Sequence, residues 1–102
     1  MVLIYEITRS FPKEEVYGMV QQLRRAGVSV PSNIAEGCGR RTSADTIQFL
    51  YISRGSLYEI ETQLYLANDL NYLDDKALVD VIERVKECKK LLNGFINYYS
   101  SK

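Results

Sequence analysis

The sequence predicts an all-α protein, an antiparallel up-down four-helix bundle with a short first helix and a proline-kinked second helix. Three observations predict it. Apolar residues recur in alternating steps of three and four along three long stretches. Cap and turn residues fall between those stretches. No stretch alternates as a strand flanked by hairpin turns. The chain of 102 residues is 46% hydrophobic and 25% charged, with two prolines and six glycines. That is globular composition on the scale of one domain, residues 1–102.

The first helix is read over Val2 to Ser10, with Val2, Leu3, Ile4 and Ile7 as its apolar residues. It is short, and part of it is expected to precede Met1. Phe11 and Pro12 end it, and Pro12 then suits the first turn of a second helix, with Glu14 and Glu15 near the positive end of its dipole. This second helix is expected over about Pro12 to Cys38. Its seam is Val16, Val20, Leu23, Gly27, Val30 and Ile34. Pro31 lacks an N–H and its ring crowds the carbonyl of Gly27, which has no side chain to add to the crowding. Ser29 and Ser32 flank it as donors to freed backbone groups, so one kinked helix is expected rather than two.

Gly37, Gly39, Arg40 and Arg41 read as a terminator, and Thr42 or Ser43 as the cap of a third helix running to about Leu70. Its seam is Leu50, Ser53, Leu57, Ile60, Leu64 and Ala67. Asp74 or Asp75 caps the fourth, whose apolar repeat is Leu78, Val81, Val85, Cys88, Leu92, Phe95 and Tyr99, broadened by Ile82 and Ile96. The connections are short, which favours antiparallel neighbours.

Charge and composition exclude several functions. Lys plus Arg equals Asp plus Glu at 13 each, so the net positive charge that draws proteins to phosphate backbones is missing. No run reaches membrane-spanning length, so no membrane partner and a cytoplasmic location are expected. There is no histidine, which excludes histidine base catalysis and ligation. Cys38 and Cys88 form no metal-like or redox-like pair. The Gly37–Ser43 segment lacks the lysine spacing of a phosphate loop, and Cys38 has no candidate base to activate it. No enzyme activity, cofactor or metal is expected.

Two patterns carry the functional reading. Tyr51, Tyr58, Tyr65 and Tyr72 recur every seventh residue on one face of the third helix, with Arg54 and Glu61 between them. Tyrosine rings with hydroxyls suit a surface buried against another protein, so this ladder is the expected subunit interface; packing within the chain and base stacking are the alternatives. The second pattern is polar: Arg24, Arg25, Ser29, Asn33 and Glu36 on the second helix face Glu59 and Gln63 on the third. It is expected to be an interhelical network that sets helix register, with Arg24 or Arg25 pairing Glu59 or Glu61. Arg24, Arg25, Arg40, Arg41 and Arg54 are the candidate nucleic-acid contacts.

From Phe11 to Leu73, above all in QLRRAGVSVPSNIAEG and RGSLYEIETQL, the sequence resembles the bacterial four-helix bundle family of 23S rRNA intervening-sequence proteins. Relatives include the accessory proteins of diversity-generating retroelements. Arg24, Arg25, Asn33, Glu36, Gly37, Gly55, Ser56, Glu59 and Gln63 fall on its motif positions, and the resemblance implies an architectural role for them. It also implies a bundle assembled as a ring, typically a homopentamer, without established enzymatic activity. The expected function is a non-enzymatic oligomeric scaffold with a protein or ribonucleoprotein partner. The alternative is an accessory protein that binds RNA or DNA, or acts with a reverse-transcriptase-like partner, in which ring symmetry multiplies a weak basic patch.

Overall fold

The computed structural model describes residues 2–101; Met1 and Lys102, the ends of the expected domain, lie outside the described residues. Four α-helices follow one another: α1 Val2–Thr8, α2 Met19–Cys38, α3 Ser43–Asp69 and α4 Asp75–Ser100. Among the described residues there is no strand.

The helix borders follow local chemistry. Thr42 caps α3 by accepting the Asp45 N–H, and Asp74 caps α4 by accepting the Ala77 N–H. After α3, Asn71 takes the left-handed conformation at φ 64°, and the Tyr72 N–H returns to the Ala67 carbonyl at 2.9 Å. This is the closure that lets a helix stop abruptly. α2 continues through Pro31. The hydroxyl of Ser29 does not serve the proline; it is turned to Asn33 and Ser56.

One border differs from expectation. α2 starts at Met19, not Pro12, and Lys13–Glu15 form a single 3₁₀ turn. The reason is tertiary. The buried Phe11 ring packs on Tyr72 at 5.6 Å between centroids, and the Tyr72 hydroxyl donates to Glu15 at 2.9 Å. Both contacts hold the segment across the α3–α4 turn. The chain then redirects at Gly18, where a Cβ would stand 2.9 Å from Glu15 Oε1.

Packing is centred on α3, which contacts both α2 and α4, while α1 packs on α2. Ser53 donates to the Val30 carbonyl and Thr46 to that of Gly37, both at 2.8 Å, so α2 and α3 run antiparallel. Arg54 reaches Asn93 and Glu61 reaches Lys89, so α3 and α4 do too. The predicted seam of α3 is wholly buried, and with Ile4, Leu23, Val30, Val81, Val85 and Leu92 it forms one core. The molecule measures 45 × 24 × 17 Å, its length set by the 27 residues of α3.

Candidate interaction faces

The polar residues of α2 do not act as one network. The part that joins helices is small: Asn33 Nδ2 donates to the Ser29 carbonyl at 2.8 Å and to its hydroxyl at 2.9 Å, and the Ser56 hydroxyl donates to Ser29 Oγ at 2.9 Å. Gln63 turns along its own helix to Glu59. Glu36 pairs with Arg40 one turn on, at 3.3 Å with both side chains largely exposed, a geometry of small energetic weight.

The expected arginine–glutamate pairs between α2 and α3 do not form. Arg24 reaches α1 instead: its Nε donates to Thr8 Oγ1 at 3.0 Å, and its guanidinium lies 4.8 Å from the Tyr5 ring centroid. Thr8 passes its own hydroxyl hydrogen to the Ile4 carbonyl at 2.8 Å. Arg24 thus fastens the short first helix to the second through a hydrogen bond and a cation–π contact. The motif gave no hint of this, because Thr8 and Tyr5 precede the polar stripe and share no period with it.

The tyrosine ladder divides in the same way. Tyr72 belongs to the chain's own packing, against Phe11 and Glu15. Its hydrogen bond to Glu15, with desolvation and the charges of Glu15 and Glu14 behind it, pushes its phenol above the usual tyrosine value. Tyr51, Tyr58 and Tyr65 remain roughly half exposed. Their polar neighbours are engaged: Arg54 donates to Asn93 and lies over the Tyr51 ring, and Lys89 pairs with Glu61 and lies over Tyr58. Lys89 and Asn93 were not singled out in the sequence, because spacing along a helix does not say which neighbouring helix lies against it.

The candidate nucleic-acid contacts are not brought together. Arg24 and Arg40 lie sixteen residues apart, roughly 24 Å of helix. Arg40 covers the Phe49 ring, and Arg54 faces α4. Arg25 and Arg41 are exposed.

Two apolar features had no counterpart in the sequence reading. An open groove of about 460 Å³ runs along α1 and α2, lined by Tyr5, Val16, Tyr17, Val28 and the stems of Arg24 and Arg25; Tyr17 is 89% exposed. A smaller one of about 160 Å³ opens between α2 and α4, where Val30, Ile34 and Leu92 meet Leu91 and Phe95. Phe95 belongs to the predicted seam but is 51% exposed, because Ile96 takes the core position. Among the described residues no cluster of His, Cys, Asp and Glu is arranged to hold a metal, and no helix is long and apolar enough to cross a membrane.

The chain matches no curated protein. The family model for the 23S rRNA-intervening sequence protein matches residues 1–94, which takes in α1, α2, α3 and most of α4. The short polar bridge, the Gly37–Thr46 contact and the buried α3 seam are thus features of a member of the 23S rRNA-intervening sequence protein family, to which this chain belongs.

Proposed function

We infer that the chain is the subunit of a non-enzymatic oligomeric scaffold acting in the cytoplasm. The observation that carries the reading is the apolar groove of α1 and α2, where Tyr17, Val16 and Val28 stand exposed beside two arginines. Large apolar side chains grouped in a concave surface and rimmed by charge mark a protein contact. The polar residues of the family motif support an architectural role, since those that bond do so to neighbouring helices or along their own helix. A ring of five copies is the assembly that the resemblance implies.

The test is light scattering coupled to size-exclusion chromatography, with absorbance at two wavelengths, on protein purified at low salt without nuclease. A multiple of the 11.7 kDa chain mass, free of nucleic acid, is expected. A monomer overturns the reading, and an assembly that carries nucleic acid until salt strips it off points to a nucleic-acid accessory protein instead.

A further inference from the structure

We propose that the α1–α2 groove takes an acidic segment of a partner protein, with a carboxylate seated on the Arg24 guanidinium and an adjoining apolar side chain laid against Tyr17 and Val28. This rests on the reading of the groove as a protein contact and deepens it by naming the chemistry of what the groove receives.

The guanidinium of Arg24 carries the argument. It is partly buried and held from two sides, since Nε donates to Thr8 Oγ1 at 3.0 Å and Cζ lies 4.8 Å from the Tyr5 ring centroid. That bond uses only one of the N–H donors of an arginine. The terminal nitrogens donate to nothing among the described residues, and no carboxylate there lies within ion-pair distance of them. Withdrawing a cation from water costs free energy that a counter-charge offsets. Here the chain supplies the cation and its support but not the acid. A planar fork already fixed in place is suited to a carboxylate, which it can meet with two parallel hydrogen bonds. Little side-chain freedom is then left to lose on binding.

Arg25 adds a second cation. Val20, Gln21, Arg24, Arg25 and Val28 fall at steps of three and four along α2, share one side of it and line the groove. Arg25 is exposed and has no ion-pair partner among the described residues. No acidic residue lines the groove. Glu15, beside Val16 in the chain, is turned to Tyr72.

The rest of the lining decides what carries the carboxylate. Val16, Tyr17 and Val28 leave apolar surface exposed beside the two cations. A nucleic-acid backbone repeats its charge along the strand and is held by many cations. Two arginines among valines make no such row. A peptide segment brings a carboxylate and apolar side chains together and so complements both parts of the lining.

The experiment is selection from a displayed library of random short peptides on the full chain. Synthetic copies of the selected peptides are then bound to wild type, to Tyr17→Ser/Arg25→Gln, to Arg24→Lys and to Arg41→Gln. Enrichment of aspartate or glutamate beside large apolar residues is expected. Affinity should fall about tenfold or more in Tyr17→Ser/Arg25→Gln, and likewise when glutamine replaces the acids of the peptide. Arg41 is exposed and outside the groove, so Arg41→Gln should leave affinity unchanged. Tyr17 and Arg25 are also exposed, so the fold is expected to survive their exchange, and circular dichroism follows it. Arg24→Lys keeps the charge without the fork and should bind more weakly; unchanged affinity there overturns the seat on Arg24. Failure to select any peptide, selected peptides without acids, or equal binding to Tyr17→Ser/Arg25→Gln overturns the proposal. So does a single-stranded oligonucleotide whose binding is lost in that variant, which assigns the groove to nucleic acid. Loss of assembly mass in the same variant assigns it to a second copy and overturns the proposal too. A monomeric wild type that still selects acidic peptides overturns the oligomeric reading alone.

Discussion

The hydroxyl of Thr46 donates to the carbonyl of Gly37 at 2.8 Å, tying the last turn of α2 to the first turn of α3. The approach is close enough that a Cβ on Gly37 would stand 3.0 Å from Phe49 Cβ and 3.1 Å from the Thr46 carbonyl oxygen. Both atoms belong to α3, one a backbone oxygen and the other a Cβ fixed to the backbone. Gly37→Ala is therefore expected to destabilise by about 1–3 kcal/mol through overpacking. This outweighs the gain of up to about 1 kcal/mol that alanine brings to a helix. Urea denaturation checks it, and an unchanged or higher midpoint for the Gly37→Ala variant refutes it.

Arg24 makes two contacts to α1, and lysine has the charge without the planar fork that serves both. Arg24→Lys and Arg24→Ala are expected to loosen α1 while leaving α3 and α4 intact, at a cost of about 1–2 kcal/mol. Hydrogen exchange is the measurement: amides of Val2–Thr8 should exchange faster in both variants. Equal protection of α1 in wild type and variants would remove the fastening role.

Asn33 and Ser56 meet on one acceptor, the hydroxyl of Ser29. Asn33→Ala and Ser56→Ala are each expected to cost about 1 kcal/mol. Because they share a partner, the double variant should depart from additivity by about 0.5 kcal/mol or more. Strict additivity in the cycle would show that the two bonds are independent.

Tyr72 is held neutral by its bond to Glu15, so its pKa is raised in the folded protein. A raised folded value means that the stabilisation is complete below the free tyrosine value of about 10 and is lost as pH climbs through the folded one. The advantage of wild type over Tyr72→Phe should be constant from neutral to mildly alkaline pH and fade above it. Spectrophotometric titration should also lose a late-ionising phenol in Tyr72→Phe, and Glu15→Gln should bring that phenol down. A gap between wild type and Tyr72→Phe that persists to the highest pH refutes this account.

Much of the architecture was legible because it is periodic. The α3 seam from Leu50 to Ala67, the Thr42 and Asp74 caps and the helix through Pro31 each depend on residues a few positions apart, where side-chain size and hydrogen bonding act locally. The start of α2 was not legible, since Phe11 and Glu15 are held by Tyr72, far along the chain. Partner choice was equally hidden. Arg24, Glu61 and Arg54 announced themselves as charged residues at helical spacing, but spacing gives the face of a helix and not which neighbour lies against it. The sequence alone thus determined four amphipathic helices and their ends. Only the tertiary structure decided which helices meet, pairing Glu61 of α3 with Lys89 of α4 and Arg24 of α2 with Thr8 of α1, because those partners stand far apart along the chain.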